Sequence, residues 1–187
     1  MKRGNLIILS GPAGAGKGTL RKRLSGKIPG MAYSVSCTTR ERRPGEVEGQ
    51  DYFFISKNDF AAMIMQDDFL EWAEVHGNYY GTRRSDVEKV MNEGRDILLE
   101  IDVQGYRQVK SHMPEAIGIF ITARSLGDIE KRLRERGTET QDQLDTRLRN
   151  AAMEMRHSGD YNHVIINDDL QRAENELVEL VKKYRDE

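Results

Sequence analysis

The sequence predicts an α/β fold in which a sheet of parallel strands carries helices on both faces. Three observations lead there. The run Leu6 to Leu9 is apolar and rich in β-branched residues without alternation, as a strand covered on both faces requires. From Ser85 onward, strand and helix patterns alternate with short links, which is how parallel strands are joined. A length of 187 residues suits one such domain with insertions better than two independent ones.

The first strand runs straight into Gly11-Pro12-Ala13-Gly14-Ala15-Gly16-Lys17-Gly18-Thr19, followed by a helix with Leu20 and Leu24 on its apolar side. Gly11, Gly14 and Gly16 permit backbone angles that a side chain would block, so successive N–H groups can turn inward around phosphate oxygens. The helix adds its N-terminal dipole, and the Lys17 ammonium reaches toward the β- and γ-phosphates. Strand, helix and lysine in register argue for a nucleotide-binding P-loop over an ordinary glycine-rich turn. Gly18 stands where the usual pattern has Ser or Thr, and the hydroxyl comes one residue later at Thr19. A direct hydroxyl ligand to Mg²⁺ is therefore left open, with phosphates and water as the alternative holders.

Beyond Pro29-Gly30, Tyr33 to Cys37 alternates as a second strand. Residues 38–52 are polar, rich in glycine and arginine and irregular, a functional loop leading into a small lobe. That lobe is expected to hold a strand from Tyr52 to Ile55, a helix capped by Ser56 and Asp59 with Phe60, Met63 and Ile64 on its apolar face, and a strand from Phe69 to Val75. Strict alternation puts Phe69, Glu71, Ala73 and Val75 on one face of that strand and Leu70, Trp72 and Glu74 on the other. Gly77-Asn78 turns the chain back through Tyr79 to Thr82. Ser85 and Glu88 box a helix ending near Gly94, Ile97 to Asp102 is an apolar strand finishing in carboxylates, and a helix follows through Val109. Ile117 to Ile121 is another strand, Ser125 and Asp128 cap a helix to Arg136-Gly137, and residues 138–156 form a polar, arginine-dense helical stretch. Val164 to Asn167 is the last strand, and Leu170, Leu177 and Leu180 mark the core face of the C-terminal helix.

Charged residues make up 32 % of the chain, yet the net charge is −2, a balance that disfavours nucleic acid as the main partner. Cys37 is the only cysteine, so no intrachain disulfide or cysteine zinc cluster forms, and a reducing cytoplasm is the natural setting. The apolar run near the N-terminus is too short for a signal-peptide core, and no stretch approaches a membrane span.

Two basic groups and three carboxylates are the candidates for chemistry. Arg40, Arg43 and Tyr52 lie in and just beyond the polar loop, where two guanidinium forks and a phenol suit a phosphate monoester; solvated surface charge is the plain alternative. Arg124, Lys131, Arg132, Arg134, Arg136, Arg147 and Arg149 form a second group. It reads either as a mobile flap over a triphosphate or as a helix balanced by Asp128, Glu130 and Glu135. Glu100 and Asp102 end a strand at the carboxyl edge of the sheet, where the ligand crevice of such folds lies. They suit either Mg²⁺-bound water or a polar part of the acceptor, while helix capping by Asp102 is compatible with both. Glu71 is more specific: a carboxylate accepts two parallel hydrogen bonds, guanine offers N1–H and N2–H₂, and adenine offers an acceptor at N1 instead.

The phosphate loop, the run Ser34-Val-Ser36-Cys-Thr-Thr-Arg40-Glu-Arg-Arg43-Pro-Gly-Glu, Gly49-Gln-Asp-Tyr52, Glu71-Trp-Ala-Glu, Gly77-Asn-Tyr-Tyr80-Gly-Thr82, Asp102-Val-Gln-Gly, Arg136-Gly-Thr-Glu-Thr and Asn167-Asp-Asp together resemble the guanylate kinase family over essentially the whole chain. The resemblance implies transfer of the γ-phosphoryl group of ATP to GMP, and to dGMP, with Mg²⁺. It implies that Ser36, Glu71, Thr82 and Asp102 read guanine, with Glu100 beside them, and that Arg40, Arg43, Tyr52 and Tyr80 grip the GMP phosphate. Lys17, Arg40, Arg132, Arg136 and Arg147 would act on the transferred group, and Asn167 would sit near adenine. The expected division is a core of residues 1–35, 83–123 and 160–187, a GMP-binding lobe of 36–82 and a lid of 124–159. Self-association as a homo-oligomer is left open. Two rivals remain: a kinase of the same fold acting on another phosphorylated acceptor, and a non-catalytic interaction domain, against which Lys17 and the complete glycine loop count.

Overall fold

The computed structural model describes residues 2–75, 77–137 and 140–186; the Arg136 side chain and residues 138 and 139 of the expected lid lie outside the described residues. In chain order the elements are β1 (Leu6–Ser10), α1 (Lys17–Lys27), β2 (Ala32–Tyr33), β3 (Cys37–Thr38), β4 (Phe53–Phe54), α2 (Lys57–Met65), β5 (Phe69–Val75) and β6 (Asn78–Arg83). There follow α3 (Arg84–Asn92), β7 (Ile97–Glu100), α4 (Val103–His112), β8 (Ile117–Thr122), α5 (Leu126–Arg136), α6 (Gln141–Met155), β9 (His163–Ile166) and α7 (Leu170–Asp186).

Among the described residues the strands form two sheets. One has the order β2-β7-β1-β8-β9 with every pairing parallel, and the other has the order β4-β3-β6-β5. The central position of β1 explains its composition. Ile7 and Leu9 pack with Leu20 and Leu24 of α1 and Leu177 and Val181 of α7, while Leu6 and Ile8 pack on the opposite face with Val87 and Met91 of α3 and Val103 and Val109 of α4. Each neighbour on the strand thus serves a different helical layer, so an alternating polar residue would have been buried without a partner. The α1 and α7 layers are also joined by Glu174, buried and held at 2.6 Å by Arg23.

Several local expectations need correction. Tyr33 to Cys37 is not one strand: β2 belongs to the parallel sheet and β3 to the second sheet, so the intervening residues form the crossing between the two. The strand expected from Tyr52 to Ile55 is only Phe53–Phe54. Ser85 does not cap α3, which starts at Arg84 without a side-chain cap; an Arg83–Asp86 ion pair at 2.7 Å spans its first turn. On β5 a register shift between Phe69 and Glu71 breaks the expected alternation. Phe69 stacks on Phe60 of α2, with ring centroids 4.4 Å apart, whereas Glu71 stands opposite Thr82. The caps predicted at Ser56 and Ser125 are present, each hydroxyl accepting from the N–H three residues on.

Candidate active site

The loop after β1 makes close backbone contacts that only glycine allows. A Cβ on Gly11, at φ +136°, would meet the Ile121 carbonyl oxygen at 1.9 Å, and one on Gly16, at φ +90°, would meet Asn167 Nδ2 at 2.4 Å. The Lys17 ammonium is folded back across the loop, donating to the Gly11 carbonyl and, at 3.1 Å, to that of Pro12. Asn167, buried just beyond β9, donates from Nδ2 to the Ala15 carbonyl at 2.8 Å. Arg132 of α5 reaches the same place, donating to the Asn167 carbonyl at 2.5 Å and approaching that of Gly14. Gly14, Gly16, Thr19, Arg132 and Asn167 line an open cleft of about 380 Å³ on this side of the loop.

A second cleft of about 510 Å³ opens on the other side, lined by Gly11, Ala13, Lys17, Arg21, Tyr33, Tyr52, Glu100, Ile101, Asp102 and Glu154. Glu71 is buried beside it, 7 % exposed. Its Oε1 accepts from the Thr82 hydroxyl at 2.6 Å, and the Asp102 carboxylate is near enough to act on its charge. Burial, reinforced by Asp102 and opposed by the Thr82 hydrogen bonds, raises the Glu71 pKa to about 7. Asp102 caps α4, accepting from Gly105 N–H at 2.8 Å, and β7 ends at Glu100, two residues before the expected end of the Ile97 to Asp102 run. Glu100 ends β7 and pairs with Arg21 at 3.0 Å, whose guanidinium lies 4.3 Å over the Tyr33 ring.

Arg40, Tyr52 and Tyr80 are brought together. The Arg40 guanidinium sits 5.5 Å over the Tyr52 ring, and the Tyr52 and Tyr80 rings meet edge-on at 5.9 Å. Arg40 is held by both oxygens of Glu46, at 2.7 and 3.1 Å. Glu46 also accepts from Arg43 N–H at 2.8 Å, while the Arg43 side chain is exposed. Ser36, half-buried at the crossing, accepts from Phe53 N–H through its carbonyl.

The arginines of α5 and α6 divide. Arg134 pairs with Glu130 at 2.7 Å, which is the charge-balanced alternative, and Arg124 turns to Asp168 rather than to the loop. Arg147 lies exposed on α6, about two turns before Glu154. Residue typing alone passed over three groups: Arg21, Glu46 and Glu154. Glu154 lies near Lys17 and Asp102, and its pKa is raised mainly by burial, with Lys17 opposing and Asp102 adding to the shift. The available signal for Glu46 was its place in the arginine-rich loop; for Glu154 there was none beyond its helical spacing from Arg147. Cys37 is buried with its thiol pKa raised to about 11, which leaves it unreactive.

The family model for guanylate kinase matches residues 3–184. The chain is 49 % identical to the guanylate kinase of Aromatoleum aromaticum over 97 % of its own length and 89 % of that protein, and 44 % identical to that of Rubrobacter xylanophilus over 98 % and 96 %. Its fold is similar to the crystal structure of guanylate kinase from Anaplasma phagocytophilum, with a TM-score of 0.77 at 30 % identity, covering 98 % of this chain and 87 % of that one.

Proposed function

The chain belongs to the guanylate kinase family and phosphorylates GMP with ATP, and on that premise we propose how its two clefts divide the work. The observation that carries the division is the buried Glu71, bonded to Thr82 at 2.6 Å and close to Asp102, which lines the same cleft as Lys17. Glu71 takes guanine N1–H and N2–H₂, with the Thr82 and Ser36 hydroxyls and Asp102 around the same base and Glu100 at its margin. Arg40, Arg43, Tyr52 and Tyr80 hold the GMP phosphate, and Glu46 keeps the Arg40 fork aimed before substrate arrives. dGMP fits the same reading, because none of these contacts is to the ribose 2′-hydroxyl.

On the donor side, residues 11–19 cradle the triphosphate, Asn167 lies toward the nucleobase and Arg132 reaches the loop at Gly14. Lys17 exchanges its two carbonyl partners for phosphate oxygens. A GMP phosphate oxygen attacks the γ-phosphorus in line, forming the new P–O bond as the bond to ADP breaks. The acceptor is already an anion, so no side-chain base is required. Lys17, Arg132, Arg136 and Arg147 stabilise the charge that spreads over the transferred group. Residues 36–82 and 124–159 close over the core of residues 1–35, 83–123 and 160–187, which excludes the water that would otherwise take the phosphoryl group.

The donor set fits Mg²⁺ carried on the phosphates. Among the described residues no three carboxylate, His or Cys side chains converge on one point, and Gly18 offers no hydroxyl. Phosphate oxygens and water would hold the ion, with Glu100, whose Oε1 lies 3.8 Å from where a Cβ on Gly18 would stand, in reach of that water. When bound, Mg²⁺ neutralises charge on the β- and γ-oxygens. No described helix is long and apolar enough to cross a membrane, and a single buried cysteine suits a reducing cytoplasm.

Glu71→Gln tests the guanine reading. It keeps shape and the Thr82 bond but turns an NH₂ toward the guanine donors. We expect kcat/KM for GMP to fall on the order of 100-fold, about 3 kcal/mol, with KM for ATP unchanged. GMP kinetics equal to the parent's would remove Glu71 from the site.

A further inference from the structure

We propose that Gln108 is a positioning residue for guanine selection, holding the strand that carries Glu71 against the helix that carries Asp102. The inference rests on the reading of Glu71 given above. Strand β5 is the outer strand of its sheet, so one row of its backbone groups has no strand partner. Helix α4 lies along that edge and supplies partners from its side chains. Gln108 Oε1 accepts from Trp72 N–H at 3.1 Å, and Gln108 Nε2 donates to the Trp72 carbonyl at 3.0 Å. The side-chain amide thus pairs with Trp72 as a residue of a neighbouring strand would. One helical turn on, His112 Nδ1–H donates to the Leu70 carbonyl at 2.9 Å. Residues 70 and 72 flank Glu71, so both peptide neighbours of the guanine reader are tied to α4.

The same helix fixes the second carboxylate. Asp102 is its N-cap, and a Cβ on Gly105 in its first turn would stand 3.0 Å from Glu71 Oε2 and 3.5 Å from Asp102 Oδ1. Gly105 therefore lets both carboxyl groups approach the helix start. The opposite edge of β5 is a weaker guide here, because its pairing with β6 shifts register between Phe69 and Glu71. The bulge frees Glu71 to turn toward Thr82, and the Gln108 and His112 contacts then fix where it stops. Both polar atoms of the Gln108 amide are bonded to the Trp72 backbone, so it acts through β5 and not by touching GMP. A reader that depends on two parallel hydrogen bonds loses much of its selectivity when displaced by about 1 Å.

The experiment compares the parent chain with Gln108→Met, which keeps length and removes both bonds, Gln108→Glu, which keeps only the acceptor, Glu71→Gln, and the double variant Glu71→Gln with Gln108→Met. Steady-state constants for GMP and ATP are read beside thermal melting. Expected for Gln108→Met is a rise of about tenfold in KM for GMP with KM for ATP within about twofold, and a double variant no worse toward GMP than Glu71→Gln alone. If Gln108→Met does not fold, the same GMP-confined rise is expected of Gln108→Glu. A lowered melting temperature with GMP constants unchanged, an equal rise for both substrates, or fully multiplicative effects in the double variant would overturn the proposal. If Glu71→Gln itself leaves GMP use intact, the guanine reading fails and this inference fails with it. An effect of Glu71→Gln with none from either Gln108 variant overturns the inference alone.

Discussion

On the proposed reading, Glu71 concentrates the conflict between stability and function in one side chain. Its pKa of about 7 lies above the ordinary 4.5 because burial penalises the charged form. A raised folded-state pKa means that the neutral form suits the fold, so stability is full below about 4.5 and is lost as pH rises through 7. Glu71→Gln carries no such cost, so the ligand-free variant should melt above the parent at pH 8 and level with it at about pH 4. The expected gap at pH 8 is on the order of 1–3 kcal/mol, measured by thermal unfolding at both values. Equal melting at pH 8 would show that the buried carboxyl costs the fold nothing. The guanine reading proposed for Glu71 comes from residue type, because guanine and adenine differ at the atoms a carboxylate meets; its burial and its bond to Thr82 are what the structure adds. Glu46 was not, since a glutamate in a polar loop looks solvated until both its oxygens are seen on Arg40.

At the scale of elements, the β1-loop-α1 unit was the most legible part, since its glycines are demanded by backbone and not by packing preference. Gly11 shows this most sharply: a Cβ would sit 1.9 Å from the Ile121 carbonyl, which belongs to β8 and is locked in the sheet. Gly11→Ala should therefore cost more than about 3 kcal/mol and abolish turnover, read by thermal melting and ADP release. Parent-like melting would mean that β8 moves aside. Strands β2 and β3 were misread as one because alternation alone does not say when a chain leaves one sheet for another. The β5 bulge was likewise hidden, because a one-residue slip leaves composition untouched while reversing which face each side chain takes. Helix α3 starts directly at the end of β6, on an Arg83–Asp86 ion pair where a hydroxyl cap was expected.

Across the whole molecule, the proposed transfer requires the acceptor lobe and the α5–α6 pair to come together over the phosphate loop. Glu154 on α6 already faces the cleft that holds Lys17. GMP and a non-hydrolysable ATP analogue added together should lower the radius of gyration in solution scattering and protect α6 amides from hydrogen exchange more than either alone. Identical scattering and exchange in all states would contradict closure. The parallel core was legible because its strands must be apolar on both faces; the arrangement of the lobes was not, because it depends on contacts far apart in sequence, such as Arg132 with Asn167. The most direct test of the central claim is ADP release from ATP with GMP, dGMP, AMP, CMP, UMP and ribose phosphates offered in turn. Turnover confined to the guanine nucleotides is the predicted result. Comparable turnover with AMP or a ribose phosphate would contradict the guanine-reading cleft, and folded protein that binds GMP without releasing ADP would contradict the kinase itself.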